Sequence, residues 1–516
     1  MKLAGSKMIS KIDEYSKNEL GIPIKALMKK SGEAVARVIR EMTKKGKRVV
    51  ILAGKGNNGG DGYAAAIDIM NDYDVTVYDI FSAGQRTAEG KEFLEEFVSL
   101  GGRIVNFEPT EEILSHIRSA GCIVDAVFGT GFHGEMPEDI RPLAITIRES
   151  VEAQKIAIDV PLGINADNGS VSDFAISVGA TVELSYAKPG IVSYPARSYV
   201  GRVVYDDLGL PKDILSEKFD FRYNMVDSAW VKAALPKRED NTNKGSFGKL
   251  LMITGSKKYR GAAHLSLEAA LRGGTGLVNF VGSSELVSEL SQKFPEAVYT
   301  QIGDIETLPD GEISRIVGLS SKHSATLIGS GSDNTDGLLK LTLALLSAEG
   351  GPLILDADAL NALSSIGKEG RNAIKNAKRR VIITPHPLEF ARLYGTEVAL
   401  IQEHRLESAE AFARENSCIV VLKGAGTVVT DGDTVYINSS GSSALAKAGS
   451  GDVLAGFMAS LIAQGKTDID KAAAIAVYIH AKAGEVLAEE YSSYGVTPSD
   501  LPCEIARRIA IFEKEK

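Results

Sequence analysis

Arg48-Val49-Val50-Ile51-Leu52-Ala53 runs directly into Gly54-Lys55-Gly56-Asn57-Asn58-Gly59-Gly60-Asp61-Gly62. The first six residues are short, apolar and β-branched, and glycine bounds them. That is the pattern of a strand buried on both faces. The glycines that follow let backbone approach a ligand closely, and the asparagines offer amide donors and carbonyl acceptors. From about Tyr63 to Met70 the pattern turns helical. A strand, a Gly/Asn loop and a helix in that order begin a parallel, doubly wound sheet, with function at the carboxyl end of the strand. The loop lacks the Gly-Lys-Ser/Thr of a Walker loop and the spacing of G-x-G-x-x-G. It suits a nucleotide phosphate or an alkali cation, and standing alone it reads equally well as a tight turn.

The same alternation continues outward. Val75–Asp79, Arg103–Val105, Cys122–Val127 and Lys155–Val160 read as further strands, with a charged helix from about Arg86 to Leu100. Asp125 and Asp159 stand at two of the strand ends. In a parallel sheet these loops open at one edge, so Asn58, Asp125 and Asp159 are expected to converge. Oxygen ligands of this kind suit a hard cation, and a further carboxylate can carry a proton.

At 516 residues the chain exceeds one ordinary core, and two or three domains are expected. A hydrophobic content of 44% with 24% charged residues is that of a globular protein. The net charge of −9 argues against nucleic acid as the partner, because phosphate backbones need a basic surface. The three cysteines (Cys122, Cys418, Cys503) show no metal-ligand spacing and no disulfide framework. The first residues lack the apolar core of a signal peptide, and no run reaches membrane-spanning length. No membrane partner and a cytoplasmic location are therefore expected.

A charged, weakly periodic segment follows Pro211 and ends in Lys237-Arg238-Glu239-Asp240-Asn241. The expected division is a first domain over 1–212, a linker over 213–236 and a second domain over 237–516. The second run of strands begins at Lys249–Gly255. It includes Ala325–Ile328, Leu353–Asp356, Arg380–Ile383 and Ile419–Leu422, and then a hairpin-like pair, Thr427–Thr430 and Thr434–Ile437. Polar loops follow these strands at Gly329–Ser332, Asp356–Asn361, Thr384–Glu389 and Lys423–Thr427. Last comes Ala446-Lys447-Ala448-Gly449-Ser450-Gly451-Asp452-Val453-Leu454-Ala455-Gly456. Glycines opening an apolar helix make an anion-receiving helix start, with Asp452 in its first turn. Each loop alone has a plainer reading as a turn or a helix cap. Taken together they point to a site.

On these motifs the first half resembles the YjeF N-terminal, NAD(P)H-hydrate epimerase family, through Asn57–Gly62, Asp125–Gly131 and Asp159–Ile164. The resemblance implies substrate contacts from Asn57, Asn58, Gly59, Gly60 and Asp61, and from Gly129, Thr130, Gly131, Phe132, His133, Gly134 and Glu135. It also implies Asp159 as the proton-transfer residue and a potassium ion at Asn58 and Asp125. Leu162 stands where the family carries serine, which leaves only its backbone carbonyl for that ion.

The second half is similar to the ribokinase-like superfamily, and within it to the NAD(P)H-hydrate dehydratases, through Thr384–Glu389, Lys423–Thr427 and Ala448–Leu454. The fold class implied is α/β in two tandem domains, an N-terminal Rossmann-like doubly wound sheet and a C-terminal ribokinase-like domain. The resemblance implies hydrate contacts from Ala262, Gly331, His386, Pro387, Leu388, Glu389, Phe390, Ala391, Arg392 and Asp452. It implies ADP contacts from Lys423, Gly424, Ala425, Gly426 and Thr427, from Ser442, Ser443, Ala444, Leu445, Ala446, Lys447 and Ala448, and from Gly449, Ser450 and Gly451. Asp452 would be the base, magnesium would accompany the ADP, and a homo-oligomer is expected. The implied function is epimerisation of NAD(P)H hydrate and dehydration of its S form. The competing reading is a ribokinase-like vitamin-type kinase fused to a non-catalytic Rossmann-like module.

Overall fold

The computed structural model describes residues 1–81 and 86–515. Lys2–Tyr223 forms one compact unit, and the chain from Asn224 onward belongs to another. In the first unit the strands of the main sheet are β1 (Arg48–Ala53), β2 (Asp74–Asp79), β3 (Arg103–Asn106), β4 (Cys122–Ala126), β5 (Gln154–Ile158), β6 (Ala180–Leu184) and β7 (Arg202–Asp206). They form one sheet in the order β3-β2-β1-β4-β5-β6-β7, with every neighbour parallel. The order reverses between β1 and β4. A crevice opens at such a point beyond the carboxyl ends of the strands.

Alternate residues of β1 explain its double burial. Val49, Ile51 and Ala53 pack on one face with Val35, Ile39, Tyr63 and Ala66, and Val50 and Leu52 pack on the other with Leu143 and Ile147. Three helices of this unit matter below: α1 (Ser6–Asn18), α2 (Ile24–Met42) and α3 (Asn57–Ile69). Helix α3 begins at Asn57, six residues before the sequence-based start at Tyr63. Its glycines serve close packing more than flexibility. A Cβ on Gly59 would lie 1.9 Å from the Gly54 carbonyl oxygen, one on Gly60 2.5 Å from Met28 Sδ, and one on Gly62 2.9 Å from Ala126 Cβ. Gly59→Ala is therefore expected to lower the stability of this unit by about 1–3 kcal/mol. Thermal unfolding of the variant checks this, and a melting temperature equal to wild type would refute it.

The second unit contains β8 (Tyr223–Val226), β9 (Lys249–Ile253), β10 (Leu277–Gly282), β11 (Val298–Gln301), β12 (Ala325–Ile328), β13 (Leu353–Leu355), β14 (Val381–Ile383), β15 (Ile419–Leu422), β16 (Val428–Thr430) and β17 (Val435–Asn438). They run in the order β8-β17-β16-β15-β14-β13-β12-β9-β10-β11. Pairing is parallel from β15 through β14, β13, β12 and β9 to β11, and β15-β16-β17 is antiparallel. The helices that matter here are α4 (Arg260–Arg272), α5 (Pro387–Tyr394), α6 (Ser450–Gln464) and α7 (Ile469–Gly495).

The segment 213–236, expected as a linker, is ordered structure. It holds most of the helix Lys212–Lys218, then β8 and the helix Ser228–Ala234. Leu215 and Phe221 are buried in the core of the first unit, and Val226, Val231 and Leu235 in that of the second. These elements are too short for a helical or alternating period to emerge from the sequence, and tertiary burial decides them.

Candidate functional site

Each unit carries a candidate site at the carboxyl ends of its parallel strands. In the first unit a cleft of about 290 Å³ is lined by Asn57, Asn58 and Asp61 of α3, Gly129 and Thr130 after β4, Asp159 after β5, and Lys188 after β6, among others. The three loops expected to converge thus share one cavity. The Asn58 amide is buried, and neither its oxygen nor its nitrogen has a protein partner. A Cβ on Gly129 would press to 3.1 Å from Asn58 Cγ, and Gly129 has φ 60°, so glycine leaves room for that amide. The buried Asp125 carboxylate accepts from Val127 N–H at 3.1 Å and from Leu162 N–H at 2.6 Å. Burial nevertheless pushes its pKa up to about 6.

Asp159 adopts φ 66°, a left-handed conformation unusual for a residue with a side chain. Such strain is retained where the surrounding structure enforces it, often at functional sites. Its carboxylate pairs with the Lys188 ammonium, which also donates to the Leu184 carbonyl at 2.9 Å and lies 3.6 Å from Glu183. Asp13 of α1 lines the same cleft, and burial raises it to about 6, with Lys188 opposing and Asp159 adding to the rise. Burial likewise raises Asp61, reinforced by Asp159.

Other expected contacts lie outside this cleft lining. Gly59 and Gly60 pack inside α3. Gly131 closes a turn of 3-10 helix. Phe132 is buried with its ring 5.6 Å from that of Phe128, His133 lies 3.2 Å from the Asn165 amide, Gly134 has φ 77°, and Glu135 is exposed, 4.0 Å from Arg141. The Leu162 carbonyl, the expected potassium ligand, accepts from Ile176 N–H at 3.1 Å.

In the second unit four consecutive strand ends meet at Asp356. Its carboxylate accepts from Ser330 Oγ (after β12) at 2.8 Å and Thr384 Oγ1 (after β14) at 2.7 Å, and it pairs with Lys423 Nζ (after β15) at 3.1 Å. Burial opposes the charge on Lys423, but Asp356, Glu389 and Asp452 outweigh it and hold the ammonium above its ordinary range. The start of α6 lies over this ammonium, since a Cβ on Gly451 would be 3.5 Å from Lys423 Nζ. Gly449 caps α6 with φ 104° and no side-chain cap, and the Ser450 N–H donates to the Lys447 carbonyl at 3.2 Å, which leaves the following first-turn N–H groups, from Gly451 on, to meet an anion. The Asp452 carboxyl is raised to about 7, first by burial and then by the negative charge of Asp356, with Lys423 opposing and Asp358 and Glu389 adding. Behind the helix start, His480 of α7 lies 3.1 Å from the Ser450 carbonyl and is held neutral by burial down to about pH 4.

Gly331 packs where a Cβ would meet Ala262 at 2.5 Å, so these two expected contacts are neighbours. His386 and Glu389 form a capping box at the start of α5, in which Glu389 N–H donates to His386 Nδ1 and His386 N–H to the Glu389 carboxylate. Pro387 opens the helix, Leu388 is exposed, and Arg392 reaches Asn361 at 3.4 Å. Phe390 and Ala391, expected at the hydrate, are core residues, with the Phe390 ring edge-on to that of Phe412, centroids 5.2 Å apart. In the expected ADP segments, Thr427 donates to the Gly424 carbonyl across Ala425 and Gly426, and Ser442 caps the turn Ser443–Leu445. Ala444 is buried, Leu445 packs against Gly484, and Lys447 donates to the carbonyls of Tyr494 and Val496. Ala446 and Ala448 complete the turn into Gly449.

Residues 24–190 match the family described as YjeF-related protein N-terminus, and residues 250–507 match NAD(P)H-hydrate dehydratase. The bifunctional NAD(P)H-hydrate repair enzyme Nnr of Moorella thermoacetica is 32% identical over 520 residues, covering 97% of this chain and 95% of that protein. The chain belongs to the bifunctional NAD(P)H-hydrate repair enzymes.

The Escherichia coli member of the family is 32% identical over 488 residues, covering 93% of this chain and 89% of that protein. A crystal structure of ADP/ATP-dependent NAD(P)H-hydrate dehydratase from Bacillus subtilis, co-crystallized with ATP/Mg2+, is 30% identical. It covers 56% of this chain and 98% of its own, with a TM-score of 0.49. In this repair enzyme the most informative residues missed in the sequence are Lys188 and Glu183. The signal was present, in a glutamate inside the apolar run Ala180-Thr181-Val182-Glu183-Leu184 with a lysine five residues on. A charge on a strand buried on both faces demands a partner.

Proposed function

We propose that the first unit epimerises the two forms of NAD(P)H hydrate, with Asp159 moving the proton, and that the second dehydrates the S form with ADP. The observation that carries the reading is Asp452. It is a nearly buried carboxyl raised to about 7, in the first turn of a glycine-capped helix above Lys423. A base with a pKa near the operating pH is the useful kind.

In the second unit Asp452 takes the proton of the ring hydroxyl, and that oxygen attacks the terminal phosphate of ADP, releasing AMP. The helix-start N–H of Gly451, and Lys423 beside it, stabilise charge on the transferring phosphoryl group. The carbon–oxygen bond to the new phosphate then breaks, a proton leaves the neighbouring carbon, and the dihydropyridine double bond returns. Phosphate leaves far more readily than hydroxide, which is why a nucleotide is consumed. Magnesium bound to the nucleotide would offset phosphate charge. Glu389, which acts electrostatically on both Lys423 and Asp452, would orient a water of that ion. Asn58, with its unpartnered amide oxygen, and Asp125 fit a potassium ion that would supply positive charge beside the hydrate. No described helix is long and apolar enough to cross a membrane.

The test is recovery of the near-ultraviolet band of reduced nicotinamide from mixed epimers, with ADP, magnesium and potassium present. Full recovery is expected from the wild type, and recovery of the S fraction alone from Asp159→Ala. Normal epimerisation by that variant would remove Asp159 from its role, and no recovery by the wild type would favour the kinase reading. The sign of the pH dependence follows from Asp452. A base must be unprotonated, so kcat/KM for dehydration is expected to fall as pH drops through about 7. An acid limb well below that value would point to another base.

A further inference from the structure

The epimerase cleft holds a buried cation that the proposed chemistry does not use. The Lys188 side chain is 1% exposed, and that of Glu183 beside it is not exposed at all. Burying an ammonium so completely is unfavourable without tight pairing. Here the pairing is asymmetric. The ammonium contacts Asp159 directly and the Leu184 carbonyl at 2.9 Å, while Glu183 is 3.6 Å away with its other oxygen unpartnered. The lysine is held in place from below, and its charge is presented to Asp159 at the cleft wall. The Lys188 N–H donates to Glu183 at 3.1 Å, which fixes the turn that carries the side chain.

We propose that Lys188, anchored by Glu183 and the Leu184 carbonyl, is a positioning residue that keeps the Asp159 carboxyl oriented in the cleft during epimerisation. This rests on the epimerase reading of the first unit. The charged groups facing Asp159 are Asp13 from α1, Asp61 from α3, Glu183 from β6 and Lys188 itself. Three of the four are carboxyls that burial raises, and Lys188 is the cation of this group. Removing it raises the proton affinity of every carboxyl in the cleft, and none of the others can replace its effect.

The experiment compares pH profiles of kcat/KM for epimerisation in wild type, Lys188→Met and the double variant Lys188→Met with Glu183→Gln. The double variant removes both buried charges and so protects the fold. Dehydration of pure S hydrate by the same preparations reports on the second unit independently. The expected result is an acid limb displaced upward by about one pH unit or more. It is accompanied by a loss of about 10²-fold or more near neutrality, with KM changed little. A profile superimposable on wild type overturns the proposal. So does failure of both variants to fold, which would assign Lys188 to structure alone. A wild type that does not epimerise at all would instead overturn the epimerase reading, and that outcome is seen before any variant is made.

Discussion

Asp452→Asn is expected to lower ADP-dependent dehydration by about 10²–10⁴-fold, the range for losing a positioned proton acceptor. The substitution preserves shape, so it isolates the proton. The pairing of Lys423 with Asp356 and the contact of His480 with the Ser450 carbonyl do not involve the Asp452 side chain. The N–H groups at the helix start belong to the backbone and survive as well. The KM for ADP should therefore change far less than kcat, the signature of an interaction made in the transition state. Epimerisation by the first unit should be unaffected. Initial rates on purified S hydrate with saturating ADP measure this. A rate within about threefold of wild type would mean that Asp452 does not act as the base.

Lys423→Met is expected to destabilise the second unit by about 3–5 kcal/mol, because it strands the Asp356 carboxylate in a buried position. Ser330 and Thr384 still donate to that carboxylate, but hydroxyl dipoles do not replace a charge. Adding Asp356→Asn should recover most of the stability, since the stranded charge disappears. It should not recover turnover, because the ammonium under the helix start is still missing. The protein's single tryptophan, Trp230, packs at a tilt against Tyr436 in this unit, with ring centroids 5.3 Å apart. Its fluorescence in denaturant follows this unit, which avoids treating a two-unit chain as one transition. Equal stability of Lys423→Met and wild type would show that the pair is solvated and energetically idle.

Much of the fold could be read locally. Arg48–Ala53, Ala325–Ile328 and Ile419–Leu422 have the boundaries expected from apolar runs ended by glycine or a polar loop. Strand β6 is not legible in the sequence because Glu183 breaks its apolar run, and β11 is not because Val298-Tyr299-Thr300-Gln301 is short and half polar. Residues 82–85, just before the expected charged helix, lie outside the described residues. The candidate positions were legible at strand ends, at Asp159, Asp356 and Lys423, and at helix starts, at Asn58 and Asp452. The alternate faces of α5 were not, and Phe390 and Ala391 turned out to be core beside the capping pair His386 and Glu389.

The amino-acid sequence by itself determined which polar residues stand at strand ends and helix starts. Short-range periodicity and turn residues act over a few positions, and those are printed in the chain. Only the tertiary structure decided which charges become partners. Asp159 meets Lys188 across 29 residues and Asp356 meets Lys423 across 67. Strand order and register bring them together, and burial then makes each pair obligatory, because a lone charge so placed would cost more than the fold can offset.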